Sequence, residues 1–198
     1  ILTTNPHYWG VAQNHFRHYN IEYNYTRDYR DYNKYPTHGF YLNLNATIGE
    51  ANGMDLVYLR YGAEYQRFTP LTNRWFLANG IYYSSIFKNR RAFILENAVG
   101  YDNVNLTGYD LYVIDGEHFA VQNNSIKYLL MPQKIVPLNF LKKYDRFNKP
   151  YFTIYAKALL DFGYVYNSNR TYEKAMGNTY TNRFLFGTGV GVDLLAYY

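Results

Sequence analysis

The chain has 198 residues, 26 of them tyrosine and 13 phenylalanine, with no cysteine, 18% charged residues and a formal net charge of +5. That length bounds it to one domain, the lack of cysteine excludes a disulfide framework, and no apolar run approaches the ~18 residues a membrane helix needs. The basic excess, with an isoelectric point near 9.1, is spread along the chain with no basic stripe on a recognition helix, so no nucleic-acid partner is implied.

A mean hydropathy of −0.43 argues against membrane helices but not against a membrane barrel, because half of each barrel strand faces a polar interior. Tyrosine and phenylalanine favour strands, and tyrosine suits membrane interfaces, with an apolar ring and a wet hydroxyl. Composition alone fits a soluble sandwich or a carbohydrate-binding module as well. The chain begins at Ile1 with no visible signal peptide, so it reads as a processed or partial piece of a longer protein.

Strict alternation dominates the chain. Arg17, Tyr19, Ile21, Tyr23 and Tyr25 share one parity against His18, Asn20, Glu22, Asn24 and Thr26. The second predicted strand sets Phe40, Leu42, Leu44, Ala46 and Ile48 against Tyr41, Asn43, Asn45 and Thr47. The third sets Val57, Leu59, Tyr61, Ala63 and Tyr65 against Tyr58, Arg60, Gly62, Glu64 and Gln66. Successive strand side chains point to opposite faces, so each segment is amphipathic with period two. A tight turn, Thr69–Asn73, leads into a fourth strand over Arg74–Ser85.

A long connection then runs from Phe87 to Gln122, with the glycine-aromatic tip Leu106-Thr107-Gly108-Tyr109 inside it. A loop of that length in a strand-dense chain needs a reason, and a plug or latch inside a barrel supplies one. Three more strands are predicted at Ser125–Leu130, Tyr151–Tyr166 and Phe184–Leu195. The sixth has an apolar row from Phe152 to Tyr164, opposite Thr153, Lys157, Asp161 and Gly163. The seventh places Phe184, Phe186, Val190 and Val192 opposite Gly187, Gly189, Gly191 and Asp193. Strands of roughly ten residues match the ~9–11 that cross a bilayer at a tilt. Short turns alternating with long loops also suit an outer-membrane barrel, although the link from Pro132 to Pro150 breaks that asymmetry.

Chemistry is poorly represented. His15 and His18 fall on opposite faces of a strand, His7, His38 and His118 are isolated, and no HExxH, EF-hand, GxSxG or P-loop pattern occurs. No metal, cofactor or catalytic residue is assigned. The row Gly187, Gly189 and Gly191 has two readings: a tightly curved strand, or a groove in the wall that admits the loop tip.

Several segments in order resemble the bacterial surface antigen superfamily, the BamA/TamA-like outer-membrane assembly factors. IEYNYTRDYRDYNKYPTHGFYLNLNATIG resembles the family's strand, Pro-x-x-Gly turn (Pro36, Gly39) and strand. YGAEYQRFTPLTNRWFLANGIYYSS resembles its aromatic-x-Pro hairpin, and NAVGYDNVNLTGYDLYV sits where the family has its (Val/Ile)-Arg-Gly-(Phe/Tyr) loop motif. LLDFGYVY and FGTGVGVDLL resemble its Asp-x-Gly strand and glycine-rich strand. The resemblance covers most of the chain from Ile21 onward.

What it implies is an all-β fold: an antiparallel transmembrane β-barrel, of which residues 1–198 supply about seven strands of sixteen, the eighth to the fourteenth. The earlier and final strands and any upstream POTRA repeats would lie outside this sequence. In relatives, a loop arginine enters the barrel and meets acids on the next two strands. Thr107 replaces that arginine, and the matching wall positions are Lys127 and Asp161. The implied arrangement is a lumenal socket of Lys127, Asp161 and Gly163, in which Lys127 pairs with Asp161 and the neutral tip of Thr107 and Gly108 docks beside them.

The function so implied is non-enzymatic. An outer-membrane barrel would insert or fold other outer-membrane proteins, or translocate a passenger, by strand templating at a lateral gate. Its partners would be unfolded outer-membrane clients, outer-membrane lipids and periplasmic or lipoprotein accessory subunits. A barrel of the same superfamily fused to a patatin-like lipase, a passive porin or transporter, and a soluble glycan-binding β-protein are the alternatives.

Overall fold

The computed structural model describes residues 17–51, 55–101, 104–135, 150–168 and 179–197. Within them the long strands are β1 (His18–Asp28), β2 (Gly39–Ala51), β3 (Leu56–Pro70) and β4 (Trp75–Lys88). Two short strands, β5 (Asn97–Val99) and β6 (Ile114–Asp115), precede β7 (His118–Ile135), β8 (Tyr151–Tyr166) and β9 (Phe184–Tyr197). The seven long strands form one sheet in the order β1-β2-β3-β4-β7-β8-β9, and β5 pairs with β6 in a separate ribbon. Every neighbouring pair is antiparallel. The large sheet is open, with β1 and β9 at its edges.

The period-two pattern of the sequence sorts cleanly onto the two faces. On the convex face Ile21 is 81% and Val190 88% exposed, and Ile48, Leu59, Ile81 and Leu194 are exposed with them. A continuous apolar surface of this kind matches the lipid-facing belt of a barrel wall. Aromatic pairs bound the belt. Trp75 and Tyr128 meet across β4 and β7 at one end, ring centroids 4.7 Å apart. At the other end Tyr61 lies 5.9 Å from Phe87 and 6.0 Å from Tyr83. The concave face carries the other parity, including Asn45, Glu64, Gln66, Asp161 and Asp193.

The structure departs from the sequence pattern at β7. This strand begins at His118, not Ser125, and shortens the irregular connection to residues 89–117. Its first half has inverted amphipathicity, which hides it. Phe119 and Val121 point inward onto the loop and are buried, while Gln122 and Asn124 lie on the outward parity. Asn124 is satisfied there by Asn79 at 2.9 Å, Gln122 at 3.0 Å and the Leu160 carbonyl at 2.7 Å. At its other end β7 runs past Pro132 to Ile135, with register shifts between Leu129, Met131 and Lys134. A proline is tolerated in such a bulge because no ladder N–H is required of it.

Candidate functional site

The connection between β4 and β7 folds back into the concave face. A 3₁₀ turn (Phe93–Leu95) leads into the β5–β6 ribbon, and Gly100 takes φ +89° at a turn where a Cβ would overlap the Tyr112 carbonyl. Ala98, Val99, Leu106 and Ile114 of this segment then bury themselves against Phe119 and Val121 of β7, Val165 of β8 and Leu185 of β9. Leu106 is 1% exposed, and full burial of such a side chain is worth about 1.5–3 kcal/mol. The apolar cluster thus sits inside the curl, between loop and wall.

The tip is a turn. The Tyr109 N–H donates to the Leu106 carbonyl at 2.9 Å, and Gly108 takes φ +86° with open space around it. Thr107 makes the central contact. Its N–H donates to Asp161 Oδ2 at 3.1 Å and its hydroxyl donates to the same oxygen at 2.5 Å. The other carboxylate oxygen accepts the Asn124 N–H at 3.1 Å, so Asp161 ties the tip to β7 from its position on β8. Asp161 is 3% exposed. The Asn123 side chain adds a donor to the Asn105 carbonyl at 3.1 Å.

The glycines divide in role. A Cβ on Gly187 would overlap the Thr107 carbonyl oxygen and lie 2.8 Å from its carbon, both backbone atoms. A Cβ on Gly163 would meet Leu106 Cδ1 at 2.5 Å, and one on Gly189 would meet Thr107 Cγ2 at 3.3 Å. These three positions form the hollow that receives the tip. Gly191 instead makes room for the Lys157 side chain, 3.0 Å from its would-be Cβ. Gly187→Val is therefore expected to push the tip out of its hollow, at about 1–3 kcal/mol of overpacking. Faster protease cleavage in residues 104–112 of the folded protein is the readout; protection equal to the parent would show that the wall can yield.

The expected Lys127–Asp161 pair is not formed. Asp161 is in register with Asn123, whereas Lys127 is in register with Lys157, four residues further along β7. At ~3.3 Å per residue that is about 13 Å. The Lys127 ammonium stands instead 4.0 Å from the centroid of the Tyr35 ring. What satisfies Asp161 is a set of uncharged donors from Thr107 and Asn124.

A second anchor, which the sequence did not reveal, lies at the base of the loop. Lys88, with a side chain 4% exposed, bonds Glu96 and reaches Glu117 at 3.1 Å. Asn167 donates to the second Glu96 oxygen at 2.8 Å, and the Ser168 N–H donates to Glu117 at 3.1 Å. Arg60 donates to the Leu95 carbonyl at 2.6 Å. Burial pushes the Glu117 carboxyl up, but hydrogen bonding from Ser168 and the Lys88 charge outweigh it and hold it below the usual carboxylate range. Nearby Asp115 goes the other way: burial raises it, against the 2.5 Å hydrogen bond from the Tyr101 hydroxyl. No spacing rule could find this group, because its members are scattered over β3, β4, the loop and the residues just after β8.

His7 and His15 lie outside the described residues. His18 is on β1, His38 in the β1–β2 turn, and His118 sits 2.5 Å from the Ser85 hydroxyl. Among the described residues no three His, Cys, Asp or Glu side chains gather as a metal site.

No curated protein sequence matches the chain significantly. A family model described as the Omp85 superfamily domain matches residues 3–125, from before β1 to the middle of β7. The part of the wall that receives the tip, Asp161, Gly163 and Gly187, lies beyond the matched segment.

Proposed function

The chain belongs to the Omp85 superfamily, a family of outer-membrane protein assembly and secretion, and from that premise we propose that it inserts or folds outer-membrane proteins, or translocates a passenger, by strand templating. In this reading the described strands are part of an outer-membrane barrel. A client strand adds to an unpaired edge elsewhere in the barrel and satisfies its backbone groups there, as in β-augmentation. No bond chemistry is required. Clients, outer-membrane lipids and accessory subunits are the partners.

The observation that carries the reading is the docked loop. A membrane-suited sheet has folded a 29-residue connection into its concave face and built a dedicated hollow for its tip at Gly163, Gly187 and Asp161. An inward loop also narrows a passive pore; the Omp85 match is what favours assembly or secretion, where a wall that must open and reclose its seam is served by a rigid opposite side. Depletion of the protein in its own cell decides the matter. Loss of folded outer-membrane proteins or of a secreted passenger, restored by the parent and not by Asp161→Ala, is the expected result. Unchanged outer-membrane composition after depletion would overturn it.

A further inference from the structure

The β1–β2 turn, residues 29–38, is a closed structure of its own. Asp31 Oδ1 accepts the N–H groups of Tyr32 and Thr37, each at 2.9 Å, and Oδ2 accepts the Thr37 hydroxyl at 2.6 Å. The Asp31 N–H donates to the His38 carbonyl at 3.1 Å. Gly39, at φ +101°, turns the chain so tightly that a Cβ would overlap the Tyr29 carbonyl oxygen. This frame holds Pro36 buried and projects Tyr35 beneath the concave face, at the end of the sheet opposite the base of the 89–117 loop.

Tyr35 then reaches three strands on the far side of the curl. Its hydroxyl donates to Asp193 of β9 at 2.9 Å, its ring lies 5.0 Å from that of Tyr155 of β8, and its face carries the Lys127 ammonium of β7. The need for this contact is electrostatic. Lys127 and Lys157 are directly opposite in the β7–β8 register, and like charges so placed repel. Lys157 is neutralised by Asp193 at 2.7 Å. Among the described residues Lys127 has no carboxylate within ion-pairing distance; the Tyr35 ring takes that place, as a cation–π partner. Between this turn and the docked tip lies a cavity of about 240 Å³ lined by Gln66, Phe68, Ser125, Lys127 and Asp161.

We propose that the β1–β2 turn is a lumenal strap: Tyr35 ties the β1–β2 side of the curl to β9, masks Lys127, and closes the passage at that end. With the tip docked above and the strap below, the lumen is shut at two levels. Release of Tyr35 opens the lower level and bares Lys127, while Lys157 stays paired with Asp193, so the opened state favours anions through Lys127. The inference rests on the barrel reading, but not on client assembly. Conductance reports the strap and depletion reports the function, so either can fail alone.

The test is ion conductance of the full-length protein in planar bilayers. Tyr35→Ala is expected to raise the mean conductance several-fold and to shift the reversal potential toward anions in a salt gradient. Tyr35→Phe, which keeps the ring over Lys127 and loses the Asp193 bond, falls between. Adding Lys127→Met to Tyr35→Ala keeps the higher conductance and reduces the anion preference. Heat-modifiable migration shows which variants are folded, and should Tyr35→Ala not fold, Asp193→Ala removes the acceptor of the same tether and is expected to raise conductance. Conductance at the parent's level in the folded variants, or an opened state with no anion preference, overturns the proposal.

Discussion

Asp161→Ala is expected to undock the loop tip. Three donors converge on this carboxylate: the Thr107 N–H, the Thr107 hydroxyl and the Asn124 N–H. Hydrogen bonds to a charged acceptor are worth about 1.5–3 kcal/mol each, and removing the acceptor also leaves buried donors unpaired, each at about 1–3 kcal/mol. Water from the adjoining cavity recovers part of this for the Thr107 groups, so a net cost near 3–5 kcal/mol is expected for the docked state. Asp161→Asn keeps one acceptor oxygen, for either the two Thr107 donors or the Asn124 N–H but not both, and should lose less. Protease accessibility of residues 104–112, with the urea midpoint of the folded barrel, measures both. A tip as protected in Asp161→Ala as in the parent would mean that the Leu106 cluster alone holds it.

The second large effect is expected at Lys88. Removing one partner of a buried ion pair typically costs about 3–5 kcal/mol, because the remaining charge stays buried without compensation. Lys88→Met leaves two carboxylates, Glu96 and Glu117, facing each other at the loop base. Their response to pH separates this cause from a simple packing defect. In the parent, Glu117 lies below its ordinary range, so its stabilising contribution is complete above about pH 4.3 and is lost as the pH falls through its depressed value. In Lys88→Met the sign reverses: protonation relieves carboxylate repulsion, and acidification stabilises. Urea midpoints at pH 7 and pH 4 for both proteins give the comparison. A variant that loses stability on acidification just as the parent does would refute the electrostatic account.

How much of this was legible depended on how local its cause was. The faces of β2, β3, β8 and β9 could be read directly, because one parity of each lies on the exposed apolar face of the sheet and the other faces the inside of the curl. Gly187, Gly189 and Asp161 could be singled out as inward wall positions for the same reason. The start of β7 could not. Phe119 and Val121 are apolar because the loop covers them, and Asn124 is polar on the outward side because three amide and carbonyl partners satisfy it there. Both facts concern neighbours distant in the chain. The Lys127–Asp161 pair failed for a related reason. Parity correctly put both side chains inside, but parity carries no register, and a shift of four residues separates groups on the same face.

The sequence by itself determined the class of structure: seven amphipathic strands, a tyrosine-rich outward face and a long connection with a glycine-aromatic tip. Strand periodicity is a local property, set by which face of each residue meets water or lipid. The tertiary structure alone decided what the inward groups do. It gave Asp161 to Thr107, Lys88 to two glutamates, and Lys127 to the ring of Tyr35 from the far side of the curl. Those pairings are fixed by interstrand register and by how the sheet bends, and both emerge only when all the strands pack together.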